Sequence, residues 1–418
     1  MKITDLKVYV VMVQPRREWL FVELETDEGV TGLGECSDYA ATAHMTGGLE
    51  AIKHFIVGMD PRNIEDLWQK LFHGFSDLNG RGYVSHLISA LDIALWDIKG
   101  KTLGVPIYQL LGGPVRDRVP VYTHISAGVA NSTVKEMQAA AKKIKAAGYQ
   151  GIKTDPFKRQ YRETDRPAGG EMVEMLTPRA VAEAAEWMMA LREAVGPTYE
   201  LLVDAHARFD VASAIRACRA LEPVKLVWFE EPVPVESTQA LRQIRENTNI
   251  PLSVGERHFT RWDYVEIFRE RLVDYVMPDV AWTGGISELR RIASMAEAYF
   301  IRFSPHDALG PVMLMAGVQT DMTVPNLYRQ ECVHEFFPDY ARVLKKMFKV
   351  EDGAIIPDPK APGLGVELDH DKIKQYLVSP YDSRIHRPFQ FPSQPVKTGA
   401  SAPKAAKAAP GGARRTRR

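Results

Sequence analysis

The chain has 418 residues, enough for a barrel-sized domain and a smaller one, and its 53 Lys and Arg balance its 53 Asp and Glu. A formal net charge of zero, with no basic excess in the body of the chain, argues against a nucleic-acid partner. Cys36, Cys218 and Cys332 are odd in number and widely spaced, which excludes a disulfide framework and suits a reduced, cytoplasmic setting; no stretch is long or apolar enough for a membrane span.

The opening MKITDLKVYVVMV has one Lys ahead of a short apolar alternation broken by Asp5 and Lys7, so it reads as a strand and not as a signal peptide. Alternation over Leu20 to Thr26, a turn at Asp27-Glu28-Gly29 and a return through Val30-Thr31-Gly32 predict an antiparallel pair. Helices are predicted over Ile64 to Phe72 and His86 to Leu103. The second is apolar on nearly every face, as suits a helix buried between two domains, and Gly104 and Pro106 end it. The first domain therefore spans residues 1–118. Pro120 to His124 predicts a first barrel strand and Gln150 to Thr154 a second. A long polar loop, about Pro156 to Pro178, precedes a helix over Arg179 to Val195.

From there acidic residues recur at the ends of apolar runs: Asp204 in ELLVDAH, Glu230 in LVWFEEP, Glu256 in PLSVGE, Asp279 in VDYVMPD. His306 in IRFSPHD and Glu331 continue the beat of roughly 25 residues, about the length of a strand, a helix and two loops. Parallel strands separated by helices imply a βα barrel over residues 119–335, in which strand C-terminal ends face the active site. Taken singly, each acid reads as a loop or cap residue. In phase, Asp204, Glu230 and Glu256 form an oxygen-only set suited to Mg²⁺, and no Cys or His cluster with zinc spacing competes. Residues 336–392 are too few and too mixed for a separate core and are expected to pack back on the first domain. Residues 393–418, with no aromatic and only Val396 as a larger apolar side chain, are expected to be disordered.

The strand-turn-strand start with GLGE, the ALWDIKGK helix, the three acidic strand ends, PDVAWTGGISE, SPH and RQE together resemble the enolase superfamily, in its mandelate racemase and muconate lactonizing branch. The resemblance covers nearly the whole chain. It implies an α/β protein with an α+β capping domain built from both chain ends and a modified (β/α)7β barrel. It also implies Mg²⁺ held by Asp204, Glu230 and Glu256, an acid substrate bound beside it, and a homo-oligomer.

A proton next to a carboxylate is weakly acidic, and its removal places a second negative charge on the carboxylate oxygens, which a divalent cation stabilises. His306 is the expected base, with Asp279 one strand earlier holding its tautomer. Racemases and cycloisomerases of the branch carry Lys-x-Lys at the second strand; Lys153-Thr154-Asp155 lacks the second lysine, which weakens a two-base reaction and leaves Lys153, Asp155 and Glu331 for substrate binding. His206, two residues after Asp204, is expected on the same face of the strand. Acid-sugar dehydratases of the galactonate type carry a histidine there that protonates the departing 3-hydroxyl, and GERHFTRWDY, GGISELRRIA and SPHDALGP are similar to that group, although Asp307-Ala308 replaces the commoner Cys-Pro. Arg16, Arg17 and Trp19 fall where a capping loop closes on substrate in the branch.

The sequence thus points to a Mg²⁺-dependent hydro-lyase that converts an aldonate-type acid sugar to a 2-keto-3-deoxy acid. An epimerase, racemase or cycloisomerase using the same enediolate, and a catalytically silent metal-binding relative, are the alternatives.

Overall fold

A computed structural model of the chain describes residues 1–15, 17–38, 41–74, 82–125, 132–157, 175–382 and 384–385. The first sheet is antiparallel: β1 (Ile3–Gln14) pairs with β2 (Arg17–Thr26), which pairs with β3 (Thr31–Glu35). Three helices, Thr42–Ile56, Ile64–Gly74 and Tyr83–Leu103, complete this cap. In β3 the alternation of TGLGE places Gly32 and Gly34 on one face. A methyl on Gly32 would run into the Ala94 carbonyl and one on Gly34 into the Ala90 carbonyl, so the strand lies directly against the backbone of helix Tyr83–Leu103. Gly34→Ala is therefore expected to lower stability by about 3 kcal/mol, read as a lower denaturant midpoint, because neither backbone can yield without opening the cap.

The same helix is apolar nearly all round because it has two neighbours. Its other side meets the barrel. Ser85 Oγ donates to Trp282 O (2.6 Å), Trp96 Nε1 donates to Ser287 Oγ (2.8 Å), and Asp92 accepts from Ser287 N and Oγ. Gly104 ends it in the left-handed conformation, at φ 70°.

Eight parallel strands make the barrel: β4 (Val119–His124), β5 (Gly151–Thr154), β6 (Glu200–Asp204), β7 (Trp228–Glu230), β8 (Leu252–Val254), β9 (Tyr275–Val276), β10 (Arg302–Phe303) and β11 (Gln330–Cys332). They are hydrogen-bonded in that order, and β11 returns to β4. Tyr328 N to Phe303 O (2.7 Å) and Glu331 N to Pro305 O (3.2 Å) close the ring. Helices follow each of the first seven strands, whereas the eighth is followed only by the short turn His334–Phe336 and the four-residue helix Phe337–Tyr340, which is the (β/α)7β pattern.

Strand parity explains what the barrel mouth receives. Tyr122, Leu202, Trp228 and Met277 form a separate apolar cluster that plugs the barrel, while Val121, Ile152, Val203 and Phe229 belong to the layer beneath the helices. Residues two further along the inward-facing rows, His124, Asp204 and Glu230, emerge at the C-terminal rim.

The C-terminal segment divides its contacts, where packing on the cap alone was expected. β12 (Lys349–Glu351) and β13 (Ala354–Ile356) form a hairpin that adds antiparallel to β4 through Ala354 and Pro120. Barrel strand geometry leaves the N-terminal half of β4 with an open edge there, and the hairpin covers it. Only afterwards does the chain reach the cap, where Val378 N donates to Val10 O (3.0 Å) and Ile385 is buried in the cap core. The expected tail, 393–418, and most of the polar loop, 158–174, lie outside the described residues.

Candidate active site at the barrel mouth

Lys153, Asp204, Glu230 and Glu331 stand on strands, Glu256 two residues beyond β8, and Asp279 and His306 three beyond β9 and β10. Asp204 and Glu230 are in register, and Asp279 bridges to His306 across the next pair of strand ends. His306 Nδ1 lies 2.6 Å from Asp279 Oδ2, and its Nε2 lies 2.8 Å from Glu256 Oε2. Asp279 Oδ1 also accepts from Ala281 N (2.7 Å), so the carboxylate that orients the imidazole is itself fixed. Lys153 Nζ donates to Glu230 Oε1 (2.9 Å) and to Glu331, and lies 3.9 Å from Asp204. Trp228 Nε1 holds the other Glu230 oxygen at 3.0 Å.

Burial governs the charges. It would push the Lys153 ammonium down, yet Glu230, Glu331 and Asp204 around it outweigh burial and hold it above the usual lysine range. Burial first, and then the Asp204 charge, push Glu230 up to about 8. Asp204 goes the other way: burial opposes its ionisation, but His206, Lys153 and Arg257 hold it below the usual carboxylate range. For His306, burial would lower the imidazole, and Glu331 and Asp279 together raise it.

His206 reaches the site by a different route from the one strand alternation predicts. β6 ends at Asp204, and both His206 (φ 53°) and Ala207 (φ 56°) adopt the left-handed conformation. Such strain in non-glycine residues costs of order 1 kcal/mol and gathers at functional sites. The turn brings the His206 N–H onto Asp204 Oδ1 (2.7 Å) and sets the ring between Asp204 Oδ2 (3.1 Å from Nε2) and Asp155 Oδ2 (3.0 Å from Nδ1). Asp155 is buried and also accepts from Arg208 (2.7 Å) and Phe157 N (3.0 Å). Thus Lys153, Asp155 and Glu331, expected to face substrate, are each engaged by protein groups.

Three carboxylates on neighbouring strands, with no thiolate among them, are a donor set that fits a hard divalent cation. In the arrangement described, Lys153, His206, Arg257 and His306 lie against these acids, and among the described residues no three acids or histidines are grouped at ligating distance.

Several neighbours escape sequence reasoning. His124, at the end of β4, is hydrogen-bonded to Glu331; parity on the first barrel strand was the available signal. Arg257 pairs with Glu256. Asp307 is buried with neither carboxylate oxygen hydrogen-bonded among the described residues, and burial lifts it well above the usual carboxylate range. Trp19, expected near substrate, is instead wholly buried, 5.5 Å from the Tyr340 ring. Arg17 is paired with Asp339 and lies over Phe336, while Arg16 is outside the described residues.

A capped (β/α)7β barrel with an acidic row of strand ends facing an Asp–His pair defines an enzyme of the enolase type. Residues 7–112 match the mandelate racemase / muconate lactonizing enzyme N-terminal domain, and residues 136–372 match the enolase C-terminal domain-like family. The chain belongs to the mandelate racemase/muconate lactonizing enzyme family of the enolase superfamily. It is 36% identical over 391 residues, 92% of this chain, to D-galactonate dehydratases of Xanthomonas euvesicatoria pv. vesicatoria and Variovorax paradoxus, covering 96% of each. A solved member of the enolase superfamily from Salmonella Typhimurium superposes with a TM-score of 0.82 at 29% identity, covering 90% of this chain and 98% of that one. A mandelate racemase/muconate lactonizing enzyme from a Sulfitobacter species gives 0.83 at 30% identity, covering 91% and 96%. The chain is accordingly a carbon–oxygen lyase of the dehydratase type. No helix among the described residues is long and apolar enough to cross a membrane.

Proposed function

We propose that the protein dehydrates an aldonate-type acid sugar to a 2-keto-3-deoxy acid with Mg²⁺ as cofactor. The observation that carries this reading is the buried Asp279–His306 pair standing beside Asp204, Glu230 and Glu256, in a chain similar over nearly its whole length to D-galactonate dehydratases. Asp204, Glu230 and Glu256 would hold the cation, which when bound supplies Lewis-acid stabilisation of the charge that develops on the substrate carboxylate.

With Asp279 on Nδ1, Nε2 of His306, which lies against Glu256 in the arrangement described, would be the base for the C2 proton once Glu256 is engaged in holding the cation. The C2–H electron pair becomes the enediolate, and Lys153, wedged between Glu230 and Glu331, adds fixed positive charge beside it. The C3–O bond then breaks, the hydroxyl leaves as water on taking a proton from His206, and the resulting enol takes a proton at C3 from solvent and releases its C2 hydroxyl proton to give the 2-keto acid. Asp155 lies 3.0 Å from Nδ1 of His206 without a formed hydrogen bond and stands beside this ring as a neighbouring charge, whereas Asp279 is hydrogen-bonded to His306. A screen of aldonates with Mg²⁺, beginning with D-galactonate and read by 2-keto acid formation, tests the reading. C2 deuterium exchange without loss of water would replace it with an epimerase.

His206→Asn is expected to cut 2-keto acid formation by about 100-fold or more while sparing deuterium uptake at C2. The backbone N–H that holds Asp204 survives this change. Equal loss of both activities would mean that His206 serves the Asp204 carboxylate and not the leaving group.

A further inference from the structure

The cap helix Tyr83–Leu103 carries a buried histidine that the reaction above does not use. His86 is 3% exposed, and neither ring nitrogen has a hydrogen-bond partner among the described residues. Asp38 Oδ2, at 3.5 Å from Nδ1, is beyond a well-formed hydrogen bond. The ring stacks on Trp282, with centroids 5.7 Å apart and planes at 12°, and the Trp282 ring lies 5.2 Å from that of His306. Phe259, three residues past Glu256, packs on it at 5.6 Å, and Tyr83 meets it edge-on at 5.7 Å. His86 therefore sits at the seam of cap and barrel, one aromatic ring removed from the base.

Burial pushes this imidazole down to about 3, so at neutral pH it is uncharged, with one N–H to give and one lone pair to share. A position that required only packing against Trp282 and Phe259 would favour a phenyl ring, which has no polar atoms to desolvate. A hydroxyl both donates and accepts, and so matches a neutral imidazole at either nitrogen. We infer that His86 is a specificity-determining residue, through which the cap hydrogen-bonds the distal hydroxyls of a polyhydroxy acid held in the barrel. The inference rests on the aldonate reading above.

The test compares the parent protein with His86→Phe, which keeps a flat ring on Trp282 and removes both nitrogens. On an accepted aldonate, KM is expected to rise tenfold or more while kcat stays within about threefold, and C2 exchange should persist. Binding is measured in parallel by calorimetry with Mg²⁺, using D-galactonate and lactate, a short 2-hydroxy acid without distal hydroxyls. The parent should prefer the aldonate, and the variant should lose at least five-fold of that preference. An unchanged ratio, failure of the parent to bind either acid, or a uniform loss for both acids overturns the role of His86. If no acid sugar is turned over by the parent, the aldonate reading falls, and the binding ratio still decides the inference. Should the phenylalanine variant not fold, His86→Met, flexible and apolar, makes the same comparison.

Discussion

His306→Asn is expected to lower turnover by about 10³-fold and to stop deuterium uptake at C2 in D₂O, because Nε2 is the atom proposed to take the proton and an asparagine amide has no basic nitrogen. The His306 side chain is 3% exposed, so the change reaches a buried group and not, as a strand-end position suggests from sequence, a solvent-facing one. Asparagine can still donate to Asp279, which limits the damage to folding. A melting temperature near that of the parent with both activities lost is the expected pair of results. Retained exchange would move the base to another group, and Lys153 is the first to examine, since it lies next to the same carboxylates.

Glu230→Gln should remove Mg²⁺ binding and activity together, by about 10³-fold in kcat/KM, and EDTA should silence the parent to the same extent. The carboxylate accepts from Lys153 and Trp228, and in the proposed site it would supply one of the three anionic charges that hold the cation. The amide keeps the size and one acceptor oxygen, so the fold should survive while the charge does not. Calorimetric titration with Mg²⁺ reads the loss without reference to turnover. Full activity of the parent in EDTA would remove the metal from the mechanism.

Much of this site can be read from the chain because a barrel converts strand parity and a repeat length into position. Asp204 and Glu230 follow Leu202 and Trp228 by two residues and share their inward direction, so an acid at an apolar strand end is also an acid at the mouth. The same logic misplaces His206, since alternation stops where the strand stops and no local signal announces two left-handed residues in AHA. Trp19, expected near substrate, and His86, given no role by its sequence, lie beyond such logic. Each lies in an element whose neighbours come from distant parts of the chain, Tyr340 for one and Trp282 for the other, and their burial is set by that packing alone. The long helix was legible as buried, but which of its polar residues finds a hydrogen-bond partner was not: Asp92 does, in Ser287, and among the described residues the His86 ring does not. The hairpin on β4 carried no pattern that distinguished an edge cover from a packing strap.

The bond between Val378 N and Val10 O joins segments that lie on either side of the barrel in the chain. During synthesis the cap sheet and its helices are made before the barrel, but the residues that complete their core, ending with Ile385, are made after it. The cap must wait, partly assembled and with apolar surface showing, while the barrel is made. Folding of this protein should therefore be slow and dependent on temperature and concentration, as it is for chains whose stabilising contacts span great sequence distances. Truncation just before residue 377 should leave every barrel strand intact and yet yield a chain prone to aggregate, because what it loses is the closing piece of the domain made first.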